Sequence, residues 1–191
     1  GTKILISGGG KCNITHDGPI ETVLKAFRPN EARFIRPACY RFPNHTIVSM
    51  LTDRGLRVYT RPDGRIFPID QTAKDVAAIL RSYLDDAGVE LRLECSVEGI
   101  EANPKGLFRI RTKHGTVTCG QVVLATGGSS YPNSGTTGDG WPWAAQLGHT
   151  IVPVRAALAP ILLPTPAEHS GVALRDIILK ARGNGKVVDR F

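Results

Sequence analysis

The sequence contains no long uninterrupted hydrophobic run and no low-complexity tract. A membrane-spanning helix needs about 20 predominantly apolar residues, and the apolar stretches here are much shorter, so we expect no membrane partner. Hydrophobic residues make up 41% of the chain, which excludes an intrinsically disordered protein. With 191 residues, the chain has the length of one domain, or of one domain and the beginning of another.

Cysteine is also scarce. The four cysteines, Cys12, Cys39, Cys95 and Cys119, form neither a CxxC pair nor another metal-ligand spacing. This argues against a disulfide framework and a structural zinc site, and no metal is expected. The first residues lack the basic region and apolar stretch of a secretory signal. We therefore expect reduced thiols and a cytoplasmic protein.

The charge that is present is mainly positive, with a formal net charge of +7. Eight arginines fall between positions 28 and 65, where the acidic residues are Glu31, Asp53 and Asp63. The simplest interpretation of such an excess is a solvated basic face. The alternative is a site for a phosphate-rich ligand or for nucleic acid.

Helical spacing of apolar residues predicts one long helix over residues 72–87. Thr72 and Asp75 resemble a capping box at its start, and Gly88 suits the position after its end. Turn residues and prolines divide the rest into shorter elements. The shorter helices are predicted over residues 20–27, over residues 31–35 with an end before Pro37, and over residues 143–147.

Alternating apolar and polar residues predict most of the strands. One hairpin is predicted from residues 56–60 and 65–67, and further strands at 89–93, 97–102, 107–112, 116–119 and 122–125. The last of these is entirely apolar, which is typical of a strand in the middle of a sheet covered on both faces. The order predicts an α/β fold whose sheet carries a small antiparallel excursion.

A change in composition near Pro153 predicts a domain boundary, with one domain over residues 1–152 and the start of a second over residues 153–191. Strands at 172–181 and 186–191 would flank a turn at residues 183–185 in the second domain. Because the chain starts with Gly1 and enters an apolar run at once, we expect it to begin inside a larger protein.

The first candidate site is a loop with three consecutive glycines after an apolar run. Glycine permits positive φ and a close approach of the backbone to a ligand, and successive N–H groups can converge on an anion. A plain flexible turn is the alternative, and for Cys12 a packing role is favoured over a reactive thiol. The loop consists of Ser7, Gly8, Gly9, Gly10, Lys11, Cys12 and Asn13.

Two more candidates follow the apolar segment 122–125. Glycines at the carboxyl end of a strand mark the place where α/β sheets bind ligands, here Ala125, Thr126, Gly127 and Gly128. Hydroxyls and amides before a helix suit a phosphate or a polarised carbonyl, and the segment here is residues 134–140, which includes Thr137, Gly138 and Asp139. A capping turn is the equally good alternative for this third segment.

Several catalytic and binding motifs are missing from the sequence. It has no G-x-G-x-x-G after a strand, no Walker A motif, no G-x-S-x-G and no H-E-x-x-H. The five histidines are scattered along the chain. We therefore assign no catalytic acid, base or nucleophile.

Three segments together resemble the BaiN/RdsA-type (aminoacetone-oxidase-type) FAD-dependent oxidoreductases. They are G-T-K-I-L-I-S-G-G-G-K-C-N-I-T at 1–15, G-R-I-F-P at 64–68, and V-V-L-A-T-G-G-S-S-Y-P-N-S-G-T-T-G-D-G at 122–140. The resemblance implies part of a two-dinucleotide-binding, Rossmann-like FAD/NAD(P) domain and the start of an inserted β-rich substrate or cap domain. The family's N-terminal pyrophosphate-binding unit and its C-terminal part have no counterpart here.

The resemblance also implies which residues meet the cofactor. Residues 7–13 would lie near the flavin, Val97 would meet the adenine through its backbone, and residues 125–128 and 137–139 would border the dinucleotide. Arg65 is a weaker candidate for the active-site side. The implied activity is hydride transfer between NAD(P)H or a small organic substrate and FAD.

The remainder of the polypeptide would be needed to complete the FAD site, so the isolated piece is expected to bind FAD poorly and to be inactive. One alternative is a basic nucleic-acid-binding module related to RNA-modifying flavoproteins. It is disfavoured because we find no interleaved aromatic patch and no RNA-binding signature. The other alternative is an inactive truncated product.

Overall fold

The computed structural model describes residues 1–155, 178 and 180–190. Its contacts divide the chain into two units, Gly1–Val152 and Pro153–Phe191. The division falls where the sequence changes in composition, while the roles assigned to the two domains stay predictions. Of the strands predicted in the second unit, residues 172–177, 179 and 191 lie outside the described residues.

The helices of the first unit are short, apart from two. They are α1 (Thr2–Ile6), α2 (Ile20–Lys25), α3 (Pro29–Arg41), α4 (Asn44–Thr52), α5 (Ala73–Asp86) and α6 (Gly140–Gln146). The strands of this unit are β1 (Thr15–His16), β2 (Val58–Thr60), β3 (Arg65–Pro68), β4 (Val97–Ala102), β5 (Phe108–Thr112) and β6 (Gly115–Cys119).

All strand pairs in the described residues are antiparallel. One sheet has the order β1-β3-β2 and a second has the order β4-β5-β6. The predicted hairpin of residues 56–67 is confirmed, since Thr60 pairs with Ile66 across the turn. In the second unit, β7 (Lys180–Gly183) and β8 (Lys186–Arg190) form a hairpin around the predicted turn.

The long helix α5 has the predicted start and end. The Thr72 main-chain N–H donates to the Asp75 carboxylate at 2.7 Å, and the Thr72 hydroxyl accepts from the Lys74 N–H at 3.2 Å. Gly88 follows the helix with a φ of +64°. This reciprocal cap satisfies N–H groups that the first helical turn leaves unpaired.

The core of the first unit packs α5 against α4 and the first glycine loop. Its buried members are Cys12, Leu51, Leu56, Ala73 and Val76. At the edge of this core the Tyr83 hydroxyl donates to the Met50 carbonyl at 2.9 Å. Burial of these apolar side chains is the main favourable contribution to the stability of this region.

The structure corrects the predicted end of the helix at residues 31–35. Helix α3 continues through Pro37 to Arg41, and the Phe42 N–H still donates to the Ala38 carbonyl at 2.8 Å. Proline removes one hydrogen bond from a helix but does not forbid the turns on either side. Pro37 is exposed, so water can satisfy the carbonyl that loses its partner.

Two predicted strands are absent from the structure. Residues 89–93 form none, since no described strand pairs with the segment, and the next residue, Glu94, turns the chain with a φ of +54°. Residues 122–125 are also without regular structure, and Val123 is 88% exposed instead of central in a sheet. An apolar segment becomes a buried strand only when neighbouring strands satisfy its backbone, and none of the described strands does so here.

Candidate functional site

The first glycine loop is a tight turn with left-handed backbone, as the glycines predict. The 3-10 turn Ser7–Gly10 has φ angles of +56° at Gly8, +68° at Gly9 and +85° at Gly10. A Cβ atom on Gly8 would lie 2.7 Å from Cε1 of Phe67 and 2.9 Å from the Asn13 nitrogen. The absence of a side chain at Gly8 therefore allows the loop to close on strand β3.

The loop is anchored to the hydrophobic core through Cys12. The Cys12 N–H donates to the Ser7 carbonyl at 3.0 Å, and the Cys12 side chain is buried in the hydrophobic cluster. This burial supports the packing role predicted for Cys12. Lys11 and Asn13, in contrast, are exposed and available to a ligand.

An open apolar cleft of about 260 Å³ lies beside this loop. The polar residues Lys3, Ser7 and Asn13 and the buried Cys12 are part of its wall. The apolar lining consists of Ile4, Ile14, Ile47, Leu51, Val76 and Leu80. Apolar walls with a few polar groups at one side are typical of sites for ring-containing ligands.

The second and third candidate segments form one structural cluster. A Cβ on Gly127 would lie 3.0 Å from Cγ2 of Thr136, and one on Gly140 would collide with the Thr126 hydroxyl. Gly138 packs under the Trp141 ring, whose Cζ3 would lie 2.8 Å from an added Cβ. Segments about ten residues apart are thus packed together, and glycine makes this close approach possible.

The main-chain N–H groups in this cluster are uncommitted. In the described part of the chain, those of residues 125–128 and 137–139 donate to no acceptor. The Thr137 hydroxyl donates to the Asp139 carboxylate. A set of neighbouring N–H groups without partners suits an anion or the polar edge of a heterocycle, so these residues fit a nucleotide cofactor.

The structure does not bring all the predicted site residues together in one place. Val97 is half-buried in β4 and pairs with Thr112 at an irregularity in the ladder. No hydrogen bond within the described residues links the loop 7–13 to residues 125–139. The structure therefore shows two separate candidate regions, the loop 7–13 and the cluster formed by the second and third candidate segments.

Arg65, the weaker candidate, has a structural partner. Its guanidinium Nε donates to the Asp63 carboxylate at 3.0 Å, and Arg61 lies 3.7 Å from the same carboxylate. The hydrogen bonds from Arg65 lower the pKa of Asp63 to about 2. These contacts join the two ends of the turn between β2 and β3.

This ion pair predicts a specific acid dependence. Because the pKa of Asp63 in the folded chain lies below its ordinary value of 3.8, the contribution of Asp63 to stability is complete above about pH 4 and is lost as the pH falls through about 2. We expect Asp63→Asn to lower the urea midpoint near pH 7. The difference in midpoint between this variant and wild type should disappear as the pH falls from about 4 to about 2.

Asp53→Asn is the control, because Asp53 forms no ion pair in the described residues. If its difference in midpoint from wild type shows the same pH dependence, the ion pair of Asp63 is not the cause of that dependence.

The arginine-rich segment divides into two groups. Arg54, Arg57, Arg61 and Arg65 each form an ion pair with an aspartate. The side chains of the other group have no carboxylate within 4.0 Å in the described part of the chain. This unpaired group consists of Arg28, Arg33, Arg36 and Arg41.

An open cleft that no sequence pattern predicted lies between α2 and α3. The cleft has a volume of about 800 Å³, and its wall includes Lys25, Phe27, Arg33, Arg36 and Tyr40. The spacing of 33, 36 and 40 places three of these residues on one face of α3. That helical spacing was the available signal, but the predicted helix ended too early to show it.

Residues 1–155, 178 and 180–190 contain neither a candidate metal site nor a candidate membrane-spanning helix. No group of three or more histidine, cysteine, aspartate or glutamate side chains could hold a metal ion there. None of the helices described is long and apolar enough to span a membrane.

Comparison with known proteins gives the family. The model described as "HI0933-like protein Rossmann domain" matches residues 1–185. Ribosomal RNA dihydrouridine synthase of Haemophilus influenzae is 32% identical over 84% of this chain and 40% of that protein. The Escherichia coli protein of the same name is 29% identical over 96% of this chain and 46% of its own length.

A third relative has a different name. The 3-dehydro-bile acid delta(4,6)-reductase of Clostridium scindens is 29% identical over 83% of this chain and 37% of that protein. The chain thus spans less than half the length of these relatives.

The family match confirms the predicted Rossmann-like fold class, to which the mixed α/β unit with small antiparallel sheets corresponds. The chain belongs to the HI0933-like family of Rossmann-domain FAD-dependent oxidoreductases, as its resemblance to the BaiN/RdsA-type proteins predicted.

Proposed function

We propose that this chain is the part of an FAD-dependent reductase that holds the dinucleotide between its two glycine loops. The observation that carries the proposal is the set of uncommitted N–H groups at residues 125–128 and 137–139. The exposed Lys11 and Asn13 beside the apolar cleft support a second contact region at the first loop. Both regions are bends where glycine leaves the backbone uncovered.

In this proposal the residues have distinct tasks. When bound, FAD supplies the hydride-transferring group of the reaction. The amides of residues 125–128 and 137–139 donate to phosphate or ring acceptors, and Lys11 adds a positive charge. The Thr137 and Asp139 side chains offer a hydroxyl and a carboxylate to sugar hydroxyls. Val97 would meet the adenine through its main chain.

The relatives' names indicate the class of reaction. Dihydrouridine contains two hydrogens more than uridine, and the bile-acid relative is named as a reductase. We propose that the whole protein reduces a carbon–carbon double bond of an organic substrate, with NAD(P)H as the electron donor, in the cytoplasm. The remainder of the polypeptide would complete the site, so the 191-residue chain alone is expected to bind FAD weakly and to be inactive.

Tryptophan fluorescence tests FAD binding at the second loop. Both tryptophans of the chain, Trp141 and Trp143, are in α6, and Trp141 contacts Gly138. We expect FAD to quench this fluorescence saturably, with the weak affinity expected of the 191-residue chain alone. Gly138→Ala should weaken FAD binding about tenfold, or 1.4 kcal/mol, because the new Cβ would displace the Trp141 ring.

The matched control is Gly135→Ala. Gly135 has nearly the same φ, +84°, but no atom lies within 4 Å of an added Cβ. This variant should bear a similar conformational cost and retain FAD affinity within about twofold of wild type. Quenching no greater than that of free tryptophan in the same FAD solution would contradict the proposal, as would equal losses in the two variants.

A further inference from the structure

Helices α2 and α3 carry a group of basic residues that form no ion pair in the described part of the chain. Lys25, Arg33 and Arg36 line the cleft between these helices and have no carboxylate within 4.0 Å in the described residues. Leu24 and Ala32 are buried where the two helices pack, and these side chains form the floor of the cleft. We call the surface formed by Lys25, Phe27, Arg33, Arg36 and Tyr40 the α2–α3 face.

The acidic residue in this cleft does not neutralise the face. Glu21 lines the same cleft and accepts a hydrogen bond from the Tyr40 hydroxyl at 2.9 Å. Hydrogen bonding from the main chain and from Tyr40 lowers the pKa of Glu21, which keeps it ionised. Three cations therefore face one carboxylate, and the net charge in the cleft is positive.

Aromatic rings lie among these cations. Phe27 and Tyr40 line the cleft and are exposed, and Phe34 and Phe42 are exposed farther along the same segment. A surface that binds single-stranded nucleic acid has aromatic side chains among its basic residues. The structure shows that this segment combines both kinds of side chain.

We propose that the α2–α3 face docks a single-stranded segment of an RNA substrate. Lys25, Arg33 and Arg36 contact its phosphates, and bases stack on Phe27 and Tyr40, as aromatic and basic side chains do in other single-strand binding grooves. This inference rests on the proposed function, since the base to be reduced would be presented within that RNA. The relatives named for a ribosomal RNA product are consistent with such a substrate.

The test measures the binding of a fluorescein-labelled single-stranded RNA by anisotropy over a range of salt concentrations. The double variant Arg33→Gln/Arg36→Gln should weaken binding at least tenfold. The slope of log affinity against log salt should fall by about 1.4, since each single-strand phosphate contact contributes about 0.7. The control, Lys105→Gln/Lys113→Gln, removes the same charge from the turns of the β4–β6 sheet and should bind within about twofold of wild type.

A second pair of variants tests stacking. Tyr40→Phe retains the ring and should bind RNA as wild type does, whereas Tyr40→Ala should weaken binding at least about fivefold. Circular dichroism of each variant establishes that it is folded. Inorganic polyphosphate, at equal phosphate concentration, should compete more weakly than RNA because it has no bases.

Three results would overturn the docking surface: no binding of RNA by wild type, equal weakening in the control pair, or equal competition by polyphosphate. The FAD titration of the same variants separates this inference from the proposed function. Arg33→Gln/Arg36→Gln should retain FAD binding. If the double variant loses RNA binding while wild type fails to bind FAD, the RNA-docking inference is supported and the proposed FAD-binding function is contradicted.

Discussion

Replacement of Leu51 with alanine should lower the free energy of unfolding by about 2–5 kcal/mol. Leu51 is 0% exposed and lies in the cluster that also holds Cys12, Leu56 and Val76. The truncation removes buried apolar contacts and leaves a cavity that α4 and α5 can close only in part. Urea unfolding followed by circular dichroism measures the change as a lower midpoint with an unchanged m value.

Leu93→Ala is the matched control for this prediction. It removes the same atoms from a side chain that is 70% exposed, so its effect should stay within about 0.5 kcal/mol. Similar losses in the two variants would contradict the assignment of the core. Because Cys12 lies in the same cluster as Leu51, Leu51→Ala should also loosen the first glycine loop and weaken FAD binding.

The elements that the sequence predicted well are those with local signals. Helix α5 begins and ends where its capping box and Gly88 indicate, since these contacts join residues only a few positions apart. The hairpin of β2 and β3 depends on an equally local turn. Residues 122–125 are different, because a central strand depends on neighbours far away in sequence, and no described strand supplies them.

The candidate site shows the same division. Positive φ at Gly8 and Gly138 could be predicted because glycine adopts it at little cost. The packing of Thr126 against Gly140 could not be predicted, since it joins two loops through contacts that have no sequence pattern. The separation of the arginines into paired and unpaired groups also depended on tertiary structure, because Arg54 pairs with Asp86, 32 positions away.

Replacement of Gly8 with alanine should lower the free energy of unfolding by about 2–5 kcal/mol. Part of this loss is the cost of a left-handed backbone in a residue with a side chain, about 1–2 kcal/mol. The rest is overpacking of about 1–3 kcal/mol, because the new Cβ would lie 2.7 Å from Phe67 and 2.9 Å from the Asn13 nitrogen. Urea unfolding measures the sum.

Gly9 separates these two contributions. It has a φ of +68° but no atom within 4 Å of an added Cβ, so Gly9→Ala should lose only the conformational part, about 1–2 kcal/mol. Equal losses at Gly8 and Gly9 would show that contact with Phe67 is not what requires glycine at position 8. If the larger loss at Gly8 is accompanied by weaker FAD binding while Gly9→Ala retains it at a urea concentration where both remain folded, closure of the loop on β3 is what positions Lys11 and Asn13 for the cofactor.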